Sequence, residues 1–103
     1  MTPVVIRHRA EADLERARAW YARDDHRLGI AFVEEFDRTV HRIGALPDQF
    51  PEVGREVRRA LLHRFPYATY FVRRADIAII IAVLHQHRRP GEWKRRAHLE
   101  GAG

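Results

Sequence analysis

Four residues in the second half of the chain, His63, Arg64, His85 and Arg88, are of the types that metal-free cleavage of RNA requires. Such cleavage takes a base at the 2′-hydroxyl, an acid at the leaving oxygen and cations on the phosphorane, roles that histidine and arginine can fill. They work together only if the strands that carry them share a face. Otherwise the same residues are a solvated basic edge. Both readings are open at this level.

His85 and His87 stand two apart, a spacing that puts both imidazoles on one face of a strand. A metal would need a third ligand, for which His63 is the candidate, and nothing in the sequence sets the distances, so no metal or other cofactor is assigned. Trp93 lies among Arg88, Arg89, Lys94, Arg95 and Arg96. An aromatic between cations suits base stacking and cation–π contact. Alternatively Trp93 folds inward as a packed closure, the reading that the Pro90-Gly91 turn before it favours. Arg88, Arg89, Trp93 and Lys94 are therefore candidates for contact with a target.

Other chemistries lack their residues. The chain has no cysteine, which excludes a disulfide scaffold and a thiolate zinc site and fits a reducing compartment. It has no serine, and no phosphate-binding loop, dinucleotide fingerprint or zinc-protease motif. The longest apolar run, Ile77–Leu84, is far short of the ~20 residues that cross a bilayer, and the N-terminal apolar stretch is too brief for a secretory signal. The expectation is a single cytoplasmic domain over residues 1–103 that makes no use of membranes, with 94–103 as a flexible basic tail.

Charge is divided unevenly. The net charge is +5, but residues 1–52 sum to −2 and residues 53–103 to +7, so the second half would attract polyanions. Eighteen arginines against the single Lys94 fit a GC-rich coding sequence as well as phosphate recognition.

The elements that must position these groups follow from periodicity. Pro3–His8 reads as a short strand. Ala10, Leu14, Ala17 and Tyr21 mark one face of a helix, with Asp13/Arg16 and Glu15/Arg18 pairs on its wet side; Trp20 and Tyr21 are expected in the core, Trp20 at its rim. After "RDDHRLG" a second helix runs from about Leu28 to Leu46, its stripe formed by Phe32, Val33, Phe36, Val40 and Ile43. The short connector predicts an antiparallel helical hairpin. Two prolines and a glycine in "PDQFPEVGR" end it. Strands are predicted within Glu56–Arg64, over Tyr67–Arg73 and over Ile77–His85. The last places Ile77, Ile79, Ile81 and Val83 on one face and Ala78, Ile80, Ala82 and Leu84 on the other, all apolar, so it belongs in the interior of the sheet. The fold class is α+β, βααβββ, a helical hairpin on a small, mainly antiparallel sheet.

The segments "AEADLERARAWY", "GIAFVEEFDRTVHRIGALPDQFPEV", "RRALLHRFPYATYF" and "IAIIIAVLHQHRRPGEW" together resemble the RelE/ParE toxin superfamily of bacterial type II toxin–antitoxin systems. Arg64–Tyr67 ("RFPY") and His85 to Trp93 (His-x-x-Arg-x-Pro-x-x-Trp) are its most specific parts. The resemblance implies the same hairpin-on-sheet fold and a cognate antitoxin that wraps the toxin and neutralises it. Leu14, Tyr21, Phe32 and Phe36, as exposed rims of the hairpin, are the expected antitoxin contacts. RelE-like members are ribosome-dependent mRNA endonucleases; ParE-like members share the fold without that catalytic set and poison DNA gyrase. The sheet here has no lysine, and Trp93 stands where a RelE-like tyrosine would be expected. The wording is thus closer to ParE and implies DNA gyrase as target rather than the ribosome and mRNA. His63, Arg64, His85 and Arg88 are the catalytic set of the nuclease alternative, and a non-toxic basic antitoxin-binding module is a third reading.

Overall fold

The computed structural model describes residues 1–87 and 91–101. Among them the elements run β1 (Val4–Ile6), α1 (His8–Ala22), α2 (His26–Ala45), a single 3-10 turn (Pro47–Gln49), β2 (Glu52–Gly54), β3 (Val57–Leu61), β4 (Tyr67–Arg74), β5 (Ile77–His85) and α3 (Glu92–Leu99). The sheet order is β1-β5-β4-β3-β2, with β1 parallel to β5 and every other pair antiparallel. The expected α+β class, hairpin and interior position of β5 are all present.

The hairpin forms because its connector holds a helix cap. Asp25 accepts the Arg27 backbone N–H at 2.9 Å and so starts α2 at His26, two residues before the expected start. The helices approach closely at Gly29, where a Cβ would lie 3.0 Å from both the Ala22 methyl and the Arg18 carbonyl oxygen. Glycine is needed there for want of space. Phe32, Phe36 and Ile43 of α2 and Ala10 and Ala17 of α1 are buried against Phe71, Ala78, Ile80 and Val83 of the sheet.

A second apolar layer covers the opposite face. Val57, Tyr70, Val72, Ile79, Ile81, Ala82 and Leu84 pack with Trp93 and Ala97 of α3. The two faces of β5 are therefore not the alternating sets read from the sequence. The register with β4 shifts between Tyr70↔Ala82 and Phe71↔Ile80, which leaves Ile81 as an extra residue. Past this bulge the parity flips: Val83 joins Ala78 and Ile80 beneath the hairpin, and Ala82 and Leu84 join Ile79 and Ile81 beneath α3.

Residues 94–99 are not a flexible tail. They belong to α3, which is tied down at both ends. The Trp93 ring stacks on Tyr70 with centroids 5.6 Å apart and planes at 9°. Arg96, 5% exposed, donates to Asp13 at 2.5 Å, to Glu92 at 2.8 Å and to the Ile81 carbonyl at 3.0 Å. Arg7 forks onto the Glu100 carboxylate through two 2.9 Å bonds, and Arg74 reaches the Glu100 carbonyl at 3.3 Å. Asp13, expected on the wet side of α1, is 3% exposed, because it also accepts the Val83 N–H at 3.0 Å.

These bonds answer a need of the backbone. β1 pairs only with Ala78–Ile80, so β5 beyond Ile80 has no strand on that side among the described residues. Its Val83 amide and Ile81 carbonyl find partners instead in Asp13 and Arg96, which meet around the sheet edge from α1 and α3.

Candidate functional site

His63 and Arg64 lie in the loop from β3 to β4, closed by the Leu62 N–H on the Tyr67 carbonyl at 2.9 Å. The loop folds toward α2, because the Glu35 carboxylate accepts the His63 backbone N–H at 3.0 Å. The exposed His63 ring then stands with Nδ1 3.9 Å from the same carboxylate, beside Arg38, His41 and Arg42 in a depression of about 400 Å³. Arg64 takes the left-handed conformation (φ 73°), and its guanidinium lies 5.7 Å from the Phe65 ring centre.

His85, at the end of β5, pairs with Tyr67 of β4 and holds its ring edge-on to the tyrosine at 5.5 Å. Its Nδ1 accepts the His87 N–H at 3.2 Å. It lines a different depression, about 510 Å³, with Asp13, Arg16, Trp20, Arg23 and Tyr67. The structure thus does not bring His63 and His85 into one pocket. The capture of the His63 amide by Glu35 sends the two rings to separate depressions. Arg88 and Arg89 lie outside the described residues. Among the described residues no group of three or more His, Cys, Asp or Glu could hold a metal ion, and no helix is long and apolar enough to cross a membrane.

Glu35 is the titratable group at the centre of the first depression. Burial pushes its carboxyl up, but the His63 N–H and the Arg38 guanidinium at 3.1 Å outweigh that and hold it below the ordinary glutamate range. A lowered folded-state pKa contributes stability that is present above the unfolded value and lost as pH falls through the folded one. Glu35→Gln is therefore expected to cost about 1 kcal/mol at neutral pH, discounted because Arg38 is exposed. The gap between the variant and the parent should close below about pH 4. Urea midpoints measured in steps from pH 7 to pH 3 test this; parallel curves for the two proteins would refute it.

Of the residues expected at the antitoxin contact, Phe32 and Phe36 are not rims. They are 0% and 2% exposed and face the sheet as the α2 apolar stripe. Tyr21 stacks on Phe32 at 5.4 Å and meets Phe65 edge-on at 4.9 Å. Leu14 and Tyr21 keep partial exposure. Of the expected target contacts, Trp93 is buried, and Lys94 is exposed with its Nζ 5.6 Å from the Trp93 ring centre.

Of the two tryptophans, Trp93 takes the packed, inward place that its Pro90-Gly91 turn suggested, and Trp20 lies further out than expected. Trp20, expected at the rim of the core, is 56% exposed, with the Arg23 guanidinium 5.0 Å from its ring centre. A signal was available: Trp20 falls one residue before Tyr21, hence about 100° off the buried stripe. On the same outer side of α1 stand Arg9 and Arg16, which line a third depression of about 600 Å³ with Arg95 of α3. Nothing in the sequence singles these arginines out, since each one alone resembles an ordinary wet-face residue.

Comparison with known proteins is consistent across fold and sequence. A solved structure titled "Chromosomal ParDE TA system from P. aeruginosa" superposes with a TM-score of 0.74 at 19% identity, covering 82% of this chain and 96% of that one. At that identity the likeness shows the fold. No curated protein sequence matches significantly. Residues 4–90, from β1 to the segment before α3, match the family described as "ParE toxin of type II toxin-antitoxin system, parDE". The chain belongs to the ParE toxin family of type II toxin–antitoxin systems.

Proposed function

We propose that the chain is the toxin of a toxin–antitoxin pair, held inactive by a cognate antitoxin protein, and that the free protein arrests growth by poisoning DNA gyrase without a chemical step of its own. Membership of the ParE family supports the toxin role and the protein partner. The observation that favours poisoning over RNA cleavage is that His63 and His85 line separate depressions rather than facing each other as a base and acid pair. Target contact is assigned to Lys94, on the exposed side of α3, with Arg88 and Arg89. Trp93 acts through the position it gives that helix.

The test is DNA supercoiling by purified gyrase with rising amounts of the antitoxin-free protein. Inhibition with accumulation of cleaved DNA is expected, and His63→Ala and His85→Ala should inhibit as the parent does. Unimpeded supercoiling by folded protein, together with new mRNA ends at ribosomal A sites on induction, would replace this reading with the ribonuclease.

A further inference from the structure

We propose that the outer face of α1 is a binding site for single-stranded nucleic acid. Arg9, Arg16 and Arg23 are seven residues apart, two helical turns, so they fall within about 20° of one line and about 10 Å from one another. All three are exposed. Arg95 of α3, its side chain 68% exposed, adds a fourth cation beside Arg9 and Arg16.

The negative charge on this side of α1 is already committed. The Asp13 carboxylate, its side chain 1% exposed, is turned inward onto Arg96 and the Val83 amide. Arg16 also bonds Asp13, and Arg95 bonds Glu92, so three arginines share two carboxylates. Arg9 and Arg23 make no ion pair with a carboxylate among the described residues. The line therefore carries a net positive charge over about 21 Å, the rise of fourteen residues.

Trp20 stands between Arg16 and Arg23 with more than half its surface in water. An indole exposed between guanidinium groups is a stacking platform for an unpaired base, and the flanking cations suit the phosphates on either side. Ala12 and Ala19 separate the arginines and line the depressions beside them, which lets a backbone come close. A protein partner would seek several large apolar side chains to bury at the centre of its interface. Along this line Trp20 is the one large aromatic. Such a site reads charge and base stacking, not sequence.

The inference is independent of gyrase poisoning, and its test contains no gyrase. Fluorescence anisotropy of a short labelled oligothymidylate is measured against antitoxin-free protein over a range of salt. Binding is expected to weaken as salt rises. Arg9→Ala/Arg23→Ala should flatten the slope of log affinity against log salt by about 1.4, or about 0.7 for each phosphate no longer neutralised. Trp20→Leu should weaken binding about tenfold with the slope unchanged, and should remove the quenching of indole fluorescence, because Trp93 is buried on Tyr70. All three positions are exposed, and circular dichroism checks that the variants fold. Lack of binding by folded protein at low salt would overturn the proposal, as would a slope indifferent to the arginine pair. Duplex DNA bound more tightly with Trp20 irrelevant would assign the face to duplex backbone. Polyglutamate displacing the oligonucleotide regardless of Trp20 would assign it to an acidic protein. Either result rejects a single-strand site.

Discussion

Arg96→Leu is expected to lower folding stability by about 3–5 kcal/mol, the usual cost of removing one partner from a buried ion pair. Arg96 and Asp13 are 5% and 1% exposed at the side chain, and Glu92 is 8% exposed. Removing the guanidinium leaves the two buried carboxylates to the solvent-exposed Arg16 and Arg95, which screen them less well, and strands the Ile81 carbonyl. Asp13→Ala should fall at the lower end of that range, because Glu92 still neutralises Arg96, though the Val83 amide loses its acceptor. A domain of this kind has about 5–15 kcal/mol in total, so either change is severe. The double variant Asp13→Leu/Arg96→Leu should cost less than the sum of the two, because neither charge is then left alone. Urea unfolding reads all of this as midpoint changes at a constant slope. Strictly additive losses would mean that the two residues act separately.

Trp93→Ala is expected to cost about 3–5 kcal/mol as well, by emptying the space between α3 and the sheet. The indole lies flat on Tyr70, and its Cη2 would be 3.5 Å from a Cβ added at Gly54, so it also closes over the β2–β3 turn. Amide hydrogen exchange should show the loss first in α3, whose apolar contacts with the sheet face are Trp93 and Ala97. This bears on the proposed toxicity. If Trp93 positions α3 rather than touching the target, Trp93→Phe should keep the stack, the exchange protection and the growth arrest together. Arrest lost in a folded, fully protected Trp93→Phe protein would make the indole itself a contact.

The parts of the fold legible in the sequence are those where one residue pattern has one solution. Ile77–His85 is apolar on both faces and could only be interior, and its bounds match β5. The stripe Ala10, Leu14, Ala17, Tyr21 marks the buried face of α1 because nothing else explains its spacing. By contrast α3 reads as a tail, since "EWKRRAHL" offers only Trp93 and Ala97 as anchors. The burial of Glu92 and Arg96 depends on Asp13, 83 residues from Arg96, and no local pattern records that. β2 is three residues between a proline and a left-handed turn, with Arg55 and Glu56 at φ 51° and 61°, residue types that do not announce such a turn. The bulge at Ile81 is likewise silent, because both faces of β5 are apolar and a parity flip leaves no mark.

For the candidate site, the residue types are legible but their grouping is not. His63 and His85 sit near strand ends as expected, yet the loop conformation that separates them rests on a carboxylate from α2. Phe32 and Phe36 read as rims because a helical stripe shows which residues share a face, not how far the sheet covers it. Trp20 and Trp93 both have cationic neighbours in sequence. Only the angle around each helix tells which indole meets water.

The closure of β5 by Asp13 and Arg96 also bears on self-association. A sheet edge with bare amides and carbonyls is a template on which a second chain can add a strand and nucleate aggregates. At one edge of this sheet β2 is short and irregularly paired with β3. At the other, where β1 runs out, a carboxylate occupies the Val83 amide and a guanidinium the Ile81 carbonyl. The bonds that hold α3 in place thus also cover that stretch of edge, so that the chain standing alone offers no bare strand there on which polymers could grow.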